Sequence, residues 1–226
     1  MYFDIYYLIL VVPAFLFSLL AQFLVQNQFN KYSKIGNRNQ WTGADVARMI
    51  LDQNGLYEVK VEQQSGHLTD HYDPRSKVVR LSQSVYGSRS LAALGVAAHE
   101  TGHAIQDKVR YTPLVLRSSL YPVAGFGSQF GPWIAIAGIF FSSGLLTNLG
   151  LLFFGIAVVF YLVTLPVEFN ASNRAKKILQ EERILAADEM GAVRGVLGAA
   201  AMTYVAAAAV AIASFLRLFL ISRNRD

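Results

Sequence analysis

The chain has 226 residues, of which 54% are hydrophobic and 15% charged, and its mean hydropathy is +0.35. This composition excludes a disordered chain, and the charge is too sparse for an ordinary soluble domain. Cysteine is absent, which excludes disulfides, thiolate metal sites and a cysteine nucleophile. The net charge of +5 would suit nucleic acid, but the basic residues flank apolar segments and lack the aromatic interleaving of such a surface.

Of the 20 basic and 15 acidic residues, 30 fall in two stretches, 31–117 and 168–194. The chain opens with 26 uncharged residues between Asp4 and Lys31, centred on YYLILVVPAFLFSLLAQFLV. A helix needs about 20 apolar residues to cross a bilayer, so a first transmembrane helix is expected over 5–27. It has neither a basic start nor an A-x-A site after it, so it reads as an anchor and not as a signal peptide.

The polar region 31–117 follows. Thr42 and Asp45 form a T-x-x-D opening to a helix with Val46, Met49 and Ile50 on one face, and Asn54-Gly55 closes it. Tyr57, Val59 and Val61 alternate with charged residues and predict a strand. Gly66 and the DPRS run at 73–76 mark turns around a connecting segment, and VVRLS (78–82) predicts a second strand. Ser88 and Ser90 are candidate caps for a helix over 90–107.

That helix carries His99-Glu100-Thr101-Gly102-His103, an H-E-x-x-H motif. Residues i and i+4 share a helix face, so both imidazoles can reach one zinc ion, and Glu100 projects beside it to take a proton from bound water. Two imidazoles and one carboxylate, with a fourth position open to water, is a zinc donor set for catalysis. On the His99 face, Gly95 and Ala92 are small and are expected to leave room for substrate or for the metal's surroundings. Leu94, Ala98 and Ile105 lie on another face and are expected to pack the helix down.

Fifty uncharged residues separate Arg117 from Glu168, too many for one span, and SSGLLTN (142–148) interrupts them. They predict a hairpin of transmembrane helices over 120–141 and 149–166. The hairpin returns the chain to the side of His99, and the first acid met there is Glu168, the expected third ligand. Glu181, Glu182, Asp188 and Glu189 sit in a charge-rich helical stretch and fit a solvated face better. The segment 168–194 thus holds the third ligand and a polar helix, and a last transmembrane helix is expected over 195–220. Basic residues favour the cytoplasmic ends of spans. Lys31, Lys34, Arg38, Lys108, Arg110, Arg117 and the 174–194 cluster place both polar stretches, and the active site, in the cytoplasm; Arg217, Arg223 and Arg225 oppose this.

Four strings, HLTDHYDPRSKVVRLSQSVYG, GVAAHETGHAIQ, LPVEFNASNRA and GVLGAAAMTYVAAA, resemble the bacterial membrane neutral zinc metallopeptidases of the YugP type. The resemblance implies a mainly α protein of the bacterial cytoplasmic membrane, with four transmembrane helices and a small α+β gluzincin-like peptidase domain at the membrane surface. It implies one Zn2+ per chain held by His99, His103 and Glu168, Glu100 as base, a polypeptide substrate, and the lipid bilayer rather than nucleic acid as surroundings. In the more distant HtpX-type membrane peptidases an E-x-x-x-D pattern follows the motif helix. Here Ser172 stands where that pattern has Asp, so Ser172 or Asn170 is expected to orient a ligand imidazole.

A donor for the tetrahedral intermediate is sought among His71, Tyr72, Arg194 and Tyr204, although His71, like His67, also reads as an ordinary loop residue. The VVRLS strand is expected at a sheet edge, where an extended substrate would pair with it. The competing reading is a catalytically silent zinc-binding membrane scaffold. A structural zinc site would close all four positions with protein ligands, and neither cysteine nor a third nearby histidine is present. A transporter would need ionisable residues inside the spans, and the uncharged gaps hold none.

Overall fold

A computed structural model describes residues 4–223; Arg225 lies outside them. The chain divides into two compact units, one of 1–22, 115–166 and 202–226, the other of 23–114 and 167–201. Four helices are long and apolar enough to cross a membrane: Tyr7–Tyr32, Thr112–Phe140, Gly144–Glu181 and Met190–Arg223. The protein is thus a mainly α membrane protein with a small three-stranded sheet.

The first unit is built from parts of α1 (Val12–Tyr32), α5 (Thr112–Phe140), α6 (Gly144–Glu181) and α7 (Met190–Arg223). Its surface is apolar: Ile9, Leu16, Trp133, Phe140 and Leu152 are each more than half exposed. Water-soluble monomers rarely expose large contiguous apolar surface, whereas lipid favours it. Between α5 and α6 the driving force is close backbone approach. A Cβ at Gly127 or Gly138 would collide with the backbone of Phe153 or Thr147, and one at Gly150 with Ala135. Small residues at such spacing are how apolar helices pack in lipid. The turn is tighter than the sequence suggested: only Phe141–Ser143 lie outside helix, and Gly144–Asn148 already belong to α6. Asp4 pairs with Arg217 at 2.5 Å, and that guanidinium also lies over the Tyr7 ring.

The second unit holds the larger core. Thr42 and Asp45 form a reciprocal capping box at the start of α2 (Gly43–Gln53), and Gly55, at φ +63°, takes the chain out of it. The sheet has the order β1 (Lys60–Gln64), β3 (Val78–Ser82), β2 (His71–Asp73), with β1 parallel and β2 antiparallel to β3. Two expectations are corrected here. The segment between the two strands contains a third, β2, and VVRLS is the central strand, so it offers no free edge. Val78, Val79, Leu81 and Ser82 are accordingly buried.

A short helix, α3 (Gln83–Tyr86), leads to α4 (Leu91–Lys108), whose N-cap Ser90 accepts from the Ala93 amide at 3.2 Å. α4 is buried nearly all round, against α2, the sheet and residues 167–193. Gly95 does not open a space: a Cβ there would touch Val193 at 3.4 Å, and Ala92 is in the core. α6 runs on through Pro166 to Glu181, so Glu168 and the residues after it are one helix with the apolar segment before it. The charge-rich stretch then leaves helix, with Arg183 at φ +52°. Glu189 is buried and not a solvated residue: it accepts from the Arg38 and Ala186 amides at 3.0 and 2.8 Å.

α4 and α6 meet at Gly102, where a Cβ would lie 2.8 Å from the Ala171 carbonyl oxygen. Alanine improves helix propensity by about 1 kcal/mol, but forcing two backbones apart costs about 1–3 kcal/mol. Gly102→Ala should therefore lower the thermal midpoint, whereas Gly198→Ala, with nothing within 4 Å of the added atom, should leave or raise it.

Candidate metal centre

The buried face of α4 carries His99 and His103 one turn apart, their ring centroids 4.8 Å from each other and nearly perpendicular. Glu168 of α6 faces both. Its Oε2 lies 3.2 Å from His99 Nε2 and 3.5 Å from His103 Nε2, and its side chain is 3% exposed. One donor atom from each of the three lies within 4.8 Å of the others. This is the grouping that the motif and the first acid after the apolar hairpin had suggested.

Both rings are held by their other nitrogen. His103 Nδ1 lies 3.0 Å from Gln106 Oε1. The Gln106 amide cannot be turned over, because its Nε2 donates to the Val167 carbonyl at 2.8 Å and to Asn170 Oδ1 at 3.0 Å. Oε1 therefore accepts from His103 Nδ1–H, and the lone pair of that ring is on Nε2. His99 Nδ1 is 3.1 Å from Ser172 Oγ, which can accept in the same way. The two expected orienting residues thus act differently: Ser172 meets an imidazole directly, and Asn170 reaches the other through Gln106. Asn170 is itself fixed by Arg174 Nε at 2.8 Å.

Sequence reading missed Gln106, which is fully buried. The available signal was a polar residue three positions after His103, on its face of a helix that is otherwise apolar there. Two imidazole lone pairs and a carboxylate oxygen converging on one point repel each other unless a proton or cation lies between them. The donor set therefore fits a zinc ion in both type and number. Burial alone would lower the His103 pKa, but the hydrogen bond and charge of Glu168 raise it above the ordinary imidazole value. The site draws positive charge.

Glu100 is 8% exposed. Burial raises its carboxyl above the ordinary range; positive charge on His99 and His103 opposes this, and the carboxylates of Glu168 and Asp70 add to it. Asp70 ends the β1–β2 connection and is pinned by the Ser82 amide at 2.7 Å and the Ser82 hydroxyl at 3.0 Å.

The remaining sequence-derived residues are more scattered. Tyr72 is committed to Asp107, donating its hydroxyl at 2.8 Å, and Lys77 pairs with the same carboxylate. His71 is exposed at the start of β2, its Nδ1 3.0 Å from the Thr69 carbonyl. His67 is an exposed loop residue whose ring meets Phe29 edge-on. Arg194 is exposed on α7, and Tyr204 belongs to the first unit rather than the one that holds the histidines.

The model of the family described as "Putative neutral zinc metallopeptidase" matches residues 7–223. The "Putative membrane protease YugP" of Bacillus subtilis (strain 168) is 48% identical over 218 residues, 96% of this chain and 97% of that protein. No solved structure matches the chain. With a match along nearly its whole length, the chain belongs to the neutral zinc metallopeptidase family.

Proposed function

We propose that the protein is a membrane-embedded zinc endopeptidase that hydrolyses peptide bonds of membrane or membrane-proximal proteins. The observation that carries this reading is the convergence of His99, His103 and Glu168 on one point, with the carboxyl of Glu100 buried beside them. Those three residues would hold one zinc ion, whose chemistry is to acidify water and polarise a peptide carbonyl. Glu100 takes up a proton on its carboxylate as water attacks, and returns it to the departing amine nitrogen. Its burial suits both halves of that task, because a carboxyl raised toward neutrality both accepts and releases protons readily. Gln106 and Ser172 keep the imidazoles in the tautomer that presents Nε2.

In this reading the apolar segments of the four long helices cross the bilayer, and the polar stretches 31–117 and 168–194 form the peptidase part at its cytoplasmic surface. Lys31, Lys34, Lys108, Arg110, Arg174, Lys176 and Lys177 support that side. Arg217 and Arg223 oppose it but are fewer.

The first test is hydrolysis of unfolded casein by detergent-purified protein, with zinc content read on the same samples. Wild type should cleave with about one zinc per chain; Glu100→Gln should keep the zinc and lose at least about a hundredfold in rate. Glu168→Ala should lose both metal and activity. Equal zinc with no cleavage by wild type would favour the silent scaffold. Gln106→Leu should weaken zinc binding about 10- to 100-fold, as removal of an orienting partner does, measured by competition with a chromogenic chelator. The orientation is tested with protease on vesicles: residues 31–117 should be cut in inside-out vesicles and protected in right-side-out ones. The reverse pattern overturns the cytoplasmic placement.

A further inference from the structure

A second concave site lies in the first unit, where α5 ends, α6 begins and α7 ends. It is a cavity of about 450 Å3, within the range of small-molecule sites. Its polar lining comes from Ser142, Ser143, Thr147, Asn148, Ser222 and Arg223. Ile139, Leu151 and Phe219 form an apolar wall. Among the described residues no carboxylate lines it, and the first turn of α6 has no acidic residue.

Among the described residues, Arg223 is the only charge in this lining. Its guanidinium lies 5.5 Å from the Phe219 ring centroid. Among the described residues no carboxylate pairs with it, in contrast to Arg217 one and a half turns earlier, which has Asp4. Next in sequence to lining residues, Phe140, Phe141 and Leu145 are exposed by 77, 71 and 73%. Such residues at the ends of bilayer-crossing helices face the boundary between acyl chains and headgroups. A cation with no carboxylate partner among the described residues, together with several hydroxyls, therefore sits beside an apolar wall near the ends of these helices.

We propose that this cavity binds the phosphate-bearing headgroup of an anionic phospholipid, with the acyl chains running along the apolar side. Arg223 neutralises the phosphate, and its planar fork suits phosphate oxygens better than a point charge would. The Ser142 and Ser143 hydroxyls and the Asn148 amide donate to the remaining oxygens, whereas the Ser222 hydroxyl already donates to the Phe219 carbonyl at 2.7 Å. A free phosphate ion satisfies Arg223 equally but leaves the Ile139–Leu151–Phe219 wall in water, so the combination favours the lipid. A zwitterionic lipid brings an ammonium group to a lining in which no described residue is an anion that could receive it.

The test uses full-length protein in lipid vesicles doped with phosphatidylglycerol or phosphatidylcholine carrying a photoreactive group near the headgroup. Cross-links are mapped by mass spectrometry. Phosphatidylglycerol should label peptides covering 139–151 and 215–223 about fivefold more than phosphatidylcholine does, the worth of one basic residue at a membrane surface. Arg223→Gln should abolish that preference and Arg223→Lys should keep most of it. Asn148→Trp, which fills the cavity from an exposed position without changing charge, should reduce labelling by both lipids. Millimolar inorganic phosphate should not compete. Equal labelling by the two lipids in wild type, an undiminished preference in Arg223→Gln, or full displacement by phosphate would each overturn the proposal; the last would assign the site to a free anion.

Discussion

The close approach of α4 to α6 at Gly102 is the constraint on which the site depends. Without a side chain there, the backbone of Ala171 comes within contact distance of α4. The Glu168 carboxylate, one helical turn before Ala171, is then carried to both imidazoles. The same approach lets Ser172 reach His99 and lets Gln106 reach the Val167 carbonyl. One missing methyl group thus sets the positions of three polar contacts. Each of them is buried or nearly so, where an unmade hydrogen bond is costly. Thr101, beside Gly102, is also fully buried and turns its hydroxyl back onto the Ala98 carbonyl, so it places no unsatisfied group in the interface.

The two units solve the problem of cohesion differently. In the first, apolar side chains face outward and association rests on backbone proximity at Gly127, Gly131, Gly138 and Gly150. In the second, branched residues such as Ile50, Leu51, Val59, Val79, Leu81 and Leu94 are fully buried, the pattern of a core formed in water. Helices α1, α6 and α7 contribute to both units, so single helices obey both rules along their length.

Sequence reading recovered what local chemistry encodes. The Thr42–Asp45 box, the Ser90 cap, the H-E-x-x-H spacing and the long uncharged gaps are all statements about neighbours in the chain. That Glu168 would lie near the two histidines was expected from the 50-residue uncharged gap before it, and its carboxylate does lie beside both rings. What was lost depends on partners remote in sequence. β2 is three residues with no periodicity of its own, and its pairing with β3 makes it a strand. That pairing also moved β3 from the edge to the centre. Glu189 looked solvated because its partners are backbone amides, one of them 151 positions away. Gly95 looked like room for a ligand, whereas its smallness admits Val193.

The way the two imidazoles are held has an electronic consequence. Neither Nδ1 meets a carboxylate: one faces a hydroxyl and the other a neutral amide. A carboxylate behind an imidazole makes the ring a stronger electron donor. Two rings backed by neutral groups donate less, so Glu168 is the one full negative charge in the donor set to offset a divalent ion. In the proposed reading, such a set would hold its metal less tightly than an anion-backed one and would leave more of the positive charge on it. Affinity would then be exchanged for electrophilicity through Gln106 and Ser172, which stand behind the rings and outside the proposed donor set.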